Sequence, residues 1–178
     1  MLDLLLRRRS TRKFKGDKIP KEKIENLLKC ALLSPSSRTT TPWLFTVIDN
    51  PEIISKLSIA KLTGSTFLKN APLVIVVSAE HDKTDMWVED TSIASTIIQL
   101  AAEKQDLGSC WVQIRGRMQS DTVTSDSFVK ELLGMPDTVS IEALIAIGYK
   151  DEEKTPYTEE NLKYDKVSYN TFNEKFFK

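Results

Sequence analysis

The sequence has few of the residues on which bound metals and thiol chemistry depend. Among 178 residues there are two cysteines, Cys30 and Cys110, and a single histidine, His81. Because a zinc site needs about four ligands, a metal site built from protein side chains alone is not expected. Cys30 falls in a helical pattern and Cys110 in a strand-like run, which favours buried structural thiols over a redox pair. His81 lies in a polar turn, so a Cys-His or Ser-His nucleophile system is not expected either.

Net charge and long apolar runs are also absent. Lys and Arg number 25, as do Asp and Glu, so no global field would attract nucleic acid or an anionic membrane. No stretch approaches the roughly 18 apolar residues of a membrane span. The apolar run that begins at Leu4 is too short for a signal peptide and follows Asp3. We therefore expect a cytoplasmic protein of one domain, residues 1–178, with no nucleic-acid or membrane partner.

Glycine is scarce, with six residues, and the glycine motifs of nucleotide-binding loops are missing. Neither Gly-x-Gly-x-x-Gly nor Gly-x-x-x-x-Gly-Lys-Ser/Thr occurs, which excludes the usual Rossmann and P-loop signatures. Any phosphate group must therefore be held by side chains, most simply by arginine.

A basic segment, residues 7–14, reads Arg-Arg-Arg-Ser-Thr-Arg-Lys-Phe. Arginine forks and nearby hydroxyl groups suit a phosphate monoester. A charge run near a terminus is also typical of a solvated face, and the segment alone does not separate these interpretations. Residues 34–41, here called the serine loop, form a second polar cluster that precedes Pro42 and Trp43.

Hydrophobic periodicity predicts alternating helices and strands. Ala94 and Ser95 lie on the longest predicted helix, where small residues favour tight helix packing or the approach of a planar ligand. The continuous apolarity of residues 73–79 indicates a central strand covered on both faces. The predicted helices are 21–33, 51–60 and 87–104, the predicted strands are 43–48, 73–79, 110–114 and 141–147, and residues 150–163 form a charged excursion before an aromatic tail.

The order of these motifs resembles the FMN-dependent nitroreductase family. Arg-Arg-Ser-x-Arg-x-Phe opens the chain, Ser-Pro-Ser-Ser leads to Pro-Trp, and Ala-Pro precedes an apolar strand. Leu-Gly-Ser-Cys-Trp and Ala-Ile-Gly-Tyr follow in the same order. The resemblance covers residues 4–172 and implies an α+β, three-layer homodimer with a mixed, mainly antiparallel sheet of four to five strands flanked by helices. The tail from about residue 150 to 178 is then expected to dock on the partner subunit.

The resemblance also implies roles for the basic segment. The family's opening motif maps onto Arg8, Arg9, Ser10 and Arg12. Arg8 and Ser10 would hold the FMN phosphate and ribityl end, and Arg12 would approach the N1/O2 edge of the flavin. A cation there stabilises the negative charge of reduced flavin. Lys154, after the last strand, is the nearest candidate for a further phosphate contact.

Two other segments match family positions near the flavin. Pro35, Ser36, Ser37 and Thr39 correspond to a loop that reaches the flavin of the other subunit. Thr39 and Thr41 stand where Asn and Gln are common, and threonine cannot make the paired contact of an amide. Arg38 either contacts the cofactor or lies in solvent. Gln113 and Ile114 match the pair beside the pyrimidine edge and N5, where backbone N–H groups would support hydride arrival.

The implied activity is an FMN-dependent NAD(P)H oxidoreductase. NADH or NADPH would donate hydride to flavin N5, and a nitroaromatic, quinone or similar small-molecule acceptor would follow in a ping-pong scheme. Flavin fragmentation or dehalogenation on the same fold is one alternative, although no insertion is long enough for a substrate lid. A non-catalytic protein that binds anions or nucleic acid is another. Trp43 and Trp111 are more typical of core than of a flavin pocket, and Arg115 and Arg117 of a solvated strand end.

Overall fold

The central layer is one antiparallel sheet of four strands. The computed structural model describes residues 1–177, so the last residue of the predicted tail, Lys178, lies outside the described part. The strands are β1 (Trp43–Ile48), β2 (Leu73–Glu80), β3 (Leu107–Gln113) and β4 (Val139–Tyr149). Their order in the sheet is β1-β2-β4-β3. Each predicted strand is therefore confirmed, although β3 begins earlier than predicted and ends before Ile114, and β4 is longer than predicted at both ends.

Strand β2 is buried on both faces, as its continuous apolarity predicts. Val74 and Val76 point to one side, where they join the core that includes Val112 and Leu144. Leu73, Ile75 and Val77 join the opposite core together with Ile98 and Ile145. Successive side chains of a strand face opposite ways, so one apolar run supplies two cores.

Helices cover both faces and complete three layers. The α2 helix (Lys21–Leu32) and the long α4 helix (Trp87–Lys104) lie on one face, and α3 (Pro51–Leu57) and α5 (Ser125–Leu133) lie on the other. Ala94 and Ser95 are fully buried in α4, which packs against α2 and the sheet. These contacts support the interpretation of tight helix packing.

Two helices were not predicted from the sequence. The α1 helix (Leu2–Arg7) is one turn and a half long and has no buried residue, so it carries little amphipathic signal. The α5 helix has a clear local code: the Thr124 side chain accepts from the Ser127 N–H, and Gly134 ends the helix at φ 65°. These capping residues predict the helix when the connection between β3 and β4 is searched for capping signals and not only for hydrophobic periodicity.

The basic segment runs beside the start of β3 and the end of β4. Ser10 and Ser109 form a parallel bridge, and the Thr11 N–H donates to the Ser109 carbonyl at 2.9 Å. This bridge is the parallel element of an otherwise antiparallel arrangement. A side chain at Gly108 would place its Cβ 2.6 Å from the Thr11 hydroxyl, so glycine is required for this close approach.

Residues 150–157, here called the return segment, lie along the other side of the basic segment. The Asp151 N–H donates to the Lys13 carbonyl at 3.0 Å, and the Tyr157 N–H donates to Leu6 at 2.8 Å. This part of the tail therefore docks on its own chain, and docking of the tail from about residue 150 on the partner subunit stays a prediction. Residues 158–177 are largely exposed, with aromatic pairs such as Tyr164 and Phe177 packed on each other at 4.4 Å.

Candidate functional site: a cationic cluster at the start of β3

The structure brings Arg8, Ser10, Arg12 and Lys154 together around the first residues of β3. Lys154 donates through Nζ to the Ser10 carbonyl, which joins the two ends of the chain. The charges of Arg12, Lys154 and Arg8 all act on the Cys110 thiol, so they lie around one point of the strand. Residues separated by more than 140 positions thereby form one cationic cluster.

The Arg9 side chain points elsewhere. Its guanidinium donates to the Thr155 carbonyl and stacks 4.4 Å from the centre of the Tyr157 ring. Both contacts belong to the return segment, and Arg9 is not among the cations that act on Cys110. The prediction that Arg9 binds a cofactor therefore gains no support from the geometry, which gives Arg9 the role of fixing the return segment.

Glu152 orders the backbone of the basic segment. Its Oε1 accepts from the N–H groups of Arg12 at 2.5 Å and Lys13 at 3.2 Å, and Lys154 Nζ lies 3.4 Å away. Burial by itself would raise the Glu152 pKa, but the two backbone hydrogen bonds and the Lys154 charge lower it below its usual value. The carboxylate thus stays ionised and orients the cluster without pairing with either arginine side chain.

Cys110 lies beneath this cluster and is 1% exposed. Burial raises the pKa of the Cys110 thiol, against the opposing influence of Arg12, Lys154, the Ser10 hydroxyl and Arg8. The expectation of a buried structural thiol therefore holds for Cys110. It is wrong for Cys30, which is half-buried and lines an apolar groove of about 560 Å³ between α1, α2 and α4.

Lys61 is a further cation that the sequence analysis missed. Its ammonium group has its pKa lowered by burial and then by the nearby Arg117, while Cys110 opposes the shift. Within residues 1–177, neither Lys61 nor Arg117 forms an ion pair, and the same is true of Arg8 and Arg12. Nothing in the sequence around Lys61 distinguishes it, because only folding brings residues 58–64 beside the loop after β3.

The serine loop is held in an unusual backbone conformation. Arg38, Thr39 and Thr41 have φ values of 51°, 57° and 44°, a region that non-glycine residues rarely adopt. Pro35, Arg38 and Thr39 are exposed, whereas Ser36 and Ser37 are half-buried. Within residues 1–177 no hydrogen bond or ion pair joins this loop to the cationic cluster.

Gln113 belongs to a partly buried polar network at the end of β3. Its amide accepts from Trp111 Nε1 at 2.9 Å and donates to Glu142 at 3.0 Å, and Arg115 donates to the other Glu142 oxygen at 2.8 Å. The Glu142 side chain is 4% exposed, so its charge is balanced by Arg115 in place of water. Arg115 is therefore a paired residue and not simply a solvated strand end. The acid within the apolar β4 run is a signal that the sequence analysis overlooked.

Ile114 does not fit its predicted role as a backbone donor. It is fully buried, and its N–H already donates to the Glu142 carbonyl at 3.1 Å. The Arg115 N–H donates to the same oxygen at 3.2 Å. The geometry therefore leaves no free Ile114 N–H for a cofactor.

Two findings bound the chemistry of the described chain. Within residues 1–177 no group of three or more His, Cys, Asp or Glu side chains is arranged to hold a metal ion. Over the same residues, no helix is both long and apolar enough to cross a membrane.

Trp43 is buried in the core, and Trp111 is half-buried and bound to Gln113.

The fold and this cluster define a class of protein: a three-layer α+β domain in which the basic segment and the return segment together form a cationic cluster. The nitroreductase family model matches residues 5–64 and 55–149, and the chain belongs to this family.

Individual relatives agree with this assignment. An FMN-dependent nitroreductase of Clostridium difficile R20291 is 46% identical, superposes with a TM-score of 0.96, and is matched over 97% of this chain and 100% of that one. A protein of Archaeoglobus fulgidus, provisionally named NADH dehydrogenase/NAD(P)H nitroreductase, is 35% identical over 160 residues, 88% of each chain. An iodotyrosine deiodinase of Thermotoga neapolitana is 25% identical over 202 residues, 97% of this chain and 98% of the relative.

Proposed function

We propose that this protein is an FMN-dependent NAD(P)H oxidoreductase that works as a homodimer. The observation that carries the proposal is the convergence of Arg8, Ser10, Arg12 and Lys154 at the start of β3. Membership of the nitroreductase family and the resemblance to an FMN-dependent nitroreductase support the same conclusion.

The cluster fits the phosphate of FMN in charge and in donor type. A phosphate monoester carries nearly two negative charges at neutral pH. Arg8 and Lys154 supply two positive charges, and the Ser10 hydroxyl adds a short-range donor. Without an anion, cations held close together repel one another, so a bound phosphate would relieve that repulsion.

The other residues complete the site by position and charge. When bound, FMN supplies the redox chemistry by accepting hydride from NADH or NADPH and reducing an acceptor such as a nitroaromatic or quinone. Arg12 would stabilise negative charge at the pyrimidine edge, and Gln113, fixed by Trp111 and Glu142, would border the reactive edge. The serine loop would come from the second subunit, which accounts for its separation from the cluster within one chain.

The direct test is the absorption spectrum of the purified protein, followed by anaerobic addition of NADH and, separately, NADPH. We expect bound FMN that is bleached by at least one nucleotide and reoxidised by a quinone or nitroaromatic. Bound flavin that neither nucleotide reduces would contradict the assignment of the electron donor. Absence of binding after FMN is added would contradict the whole proposal.

A charge-matched pair of variants locates the phosphate. Arg8→Gln should weaken FMN binding by about tenfold or more, the value of one charge-assisted hydrogen bond of about 1.5–3 kcal/mol. Lys13→Gln removes the same charge from the same segment, but its side chain is exposed and forms no ion pair in the described chain. Fluorescence titration with FMN should separate the two variants, and equal losses would point to a non-specific effect of charge.

Reductive dehalogenation is the second candidate, because an iodotyrosine deiodinase is related along nearly the whole chain. Only residues 81–86 join β2 to α4, which leaves little chain for a lid over an amino-acid substrate. Iodide release from 3-iodotyrosine under reducing conditions distinguishes this activity. We expect release to be slow compared with quinone reduction.

A further inference from the structure

Asp90 is a buried carboxylate whose main contact lies outside its own helix. It is 2% exposed, and its Oδ1 accepts the Ser37 N–H at 2.8 Å. Its Oδ2 is buried and has no hydrogen-bond partner within residues 1–177. A buried carboxylate is unfavourable unless hydrogen bonds or charges replace the water it has lost. The burial of Asp90 beside Ser37 therefore requires an explanation.

Helix capping does not supply that explanation. Asp90 is the fourth residue of α4, and its own N–H already donates to the Met86 carbonyl at 3.0 Å. An acid at this position does interact favourably with the helix dipole, but the more accessible Glu89 beside it provides the same charge without full burial. The feature specific to Asp90 is therefore its hydrogen bond to the serine loop.

The serine loop depends on that bond for its attachment. Internal hydrogen bonds hold the loop together: the Thr40 N–H donates to Ser37 and the Thr41 N–H donates to the Ser36 hydroxyl, each at 3.0 Å. Among the hydrogen bonds of the described chain, the Ser37–Asp90 bond is the only one that joins residues 35–41 to another part of the fold. The left-handed residues Arg38 and Thr39 follow directly after it.

We propose that Asp90 is a positioning residue that fixes the serine loop in the conformation needed to contact FMN. The effect on FMN rests on the proposed function, whereas the attachment of the loop does not. The Ser37–Asp90 bond holds the first turn of the loop against the rigid α4 helix. The strained residues that follow then keep one backbone conformation in place of several.

The attachment is tested on the protein without added flavin. Asp90→Ala removes the acceptor, Asp90→Asn keeps an oxygen at the Oδ1 position, and Glu89→Ala is the matched control from the same helical turn. In Asp90→Ala we expect the Ser37 amide to exchange with solvent at least about tenfold faster, as for the loss of one buried hydrogen bond. Trypsin should also cleave after the exposed Arg38 faster than in the control.

Asp90→Asn should retain most of the protection. The Oδ2 atom that becomes an amide nitrogen has no donor partner in the described chain, so its replacement breaks no recorded contact. Exchange and cleavage rates in Asp90→Ala equal to those of Glu89→Ala would overturn the proposal, and so would an Asn variant as labile as the Ala variant.

Flavin binding tests the positioning role separately. We expect Asp90→Ala to weaken FMN binding by about tenfold, with Asp90→Asn close to wild type. Ser37→Pro deletes the donor instead; the extended Ser36 backbone before it, φ −135° and ψ 154°, accepts a following proline. The double variant should bind FMN no more weakly than the weaker single variant, because both changes remove one bond.

The outcomes separate this inference from the proposed function. Loss of Ser37 protection with unchanged FMN affinity overturns the positioning role and leaves the oxidoreductase assignment intact. A wild-type protein that binds no FMN overturns the proposed function and with it the role toward FMN. In that case the exchange and proteolysis data test only the attachment of the serine loop to Asp90.

Discussion

Arg12 and Lys13 are neighbours with the same charge but different surroundings. The Arg12 guanidinium lies 5.9 Å from the centre of the Phe67 ring, and its charge reaches Cys110. Both backbone N–H groups are held by Glu152, so a change in either side chain leaves the path of the segment unchanged. The pair therefore allows the charge of one side chain to be tested on a fixed backbone.

At this scale we predict that Arg12→Gln lowers the reduction potential of bound FMN. Loss of a cation at the N1/O2 edge destabilises reduced flavin, and 1.4 kcal/mol corresponds to about 30 mV for a two-electron couple. A spectroelectrochemical titration measures the shift, with Lys13→Gln as the control. The potential of Arg12→Lys is expected to lie between those of wild type and Arg12→Gln. Equal potentials in wild type and Arg12→Gln would remove Arg12 from the flavin edge.

The two thiols should also differ in reactivity. We expect iodoacetamide at about pH 8, near the usual thiol pKa, to label Cys30 at least about tenfold faster than Cys110, because burial blocks access to Cys110 and keeps its thiol protonated. Mass spectrometry of peptides after timed labelling gives both rates. Faster labelling of Cys110 would mean that the start of β3 opens.

The raised Cys110 pKa also predicts how stability depends on pH. The folded state holds this proton more tightly than the unfolded state, so the contribution is present below the usual pKa of 9.0 and is lost as pH rises through the folded value. Urea unfolding between about pH 8 and 10.5 should show this decline in wild type and in Cys30→Ala. The decline should be smaller in Cys110→Ala.

Among the elements, the contact between the basic segment and β3 decides whether the cluster forms. Thr11 packs against Gly108, and Phe14 and Pro72 pack against Gly148, in each case closer than a Cβ atom allows. These glycines are needed because another part of the chain occupies the space of a side chain. The basic segment is thereby held at a fixed position along β3, with Ser10 opposite Ser109.

We predict that Gly108→Ala destabilises the protein by about 2 kcal/mol, a typical cost of overpacking, and weakens FMN binding at the same time. The added methyl group would push Thr11 away and shift Ser10 and Arg12 from β3. Gly16→Ala is the matched control, since no atom lies within 4 Å of the place that an added Cβ would take and its φ is not positive. Urea denaturation and FMN titration of both variants test this, and a Gly108→Ala protein as stable as the control would contradict it.

For the whole molecule, the proposed homodimer would bring the serine loop to the cationic cluster of the other subunit, because no hydrogen bond within residues 1–177 joins the two in one chain. The outer side of α4 carries the exposed Ile93, and Ile97 and Leu100 line the apolar groove beside it. Apolar residues in such a row are typical of a subunit interface. The tail aromatics that remain exposed, including Phe172 at 91%, suit the same interpretation.

We predict that Ile93→Glu weakens the homodimer and reduces FMN occupancy together. A buried, unpaired carboxylate at an interface is unfavourable, and the serine loop is expected to reach the flavin of the other subunit. Ile59→Glu, which changes an exposed isoleucine outside α4, is the control. Sedimentation velocity with absorbance at the flavin band follows both properties, and a monomeric variant that binds FMN like wild type would show that the site is complete in one chain.

The sequence by itself determined the sheet strands and the long α4 helix, because their signal is local. The apolar run of β2 and the length of α4 depend on neighbours a few residues apart. Burial follows the apolar pattern in β2, whereas in α4 the small residues Ala94 and Ser95 are buried and Ile93 is exposed. The family motifs also identified Arg8, Ser10 and Lys154 as candidate cofactor-binding residues, because the order of motifs can be recognised from the sequence alone.

Only the tertiary structure decided which of these residues meet. Contacts between distant segments decide where the Arg9 side chain points and why the Ile114 N–H is already bonded. The same kind of contact decides the positions of Lys61, Asp90 and Glu142. Such contacts are set by strand register and by close approaches such as Thr11 on Gly108, which no local pattern encodes. The cationic cluster exists because β3 and β4 bring the two ends of the chain to one place.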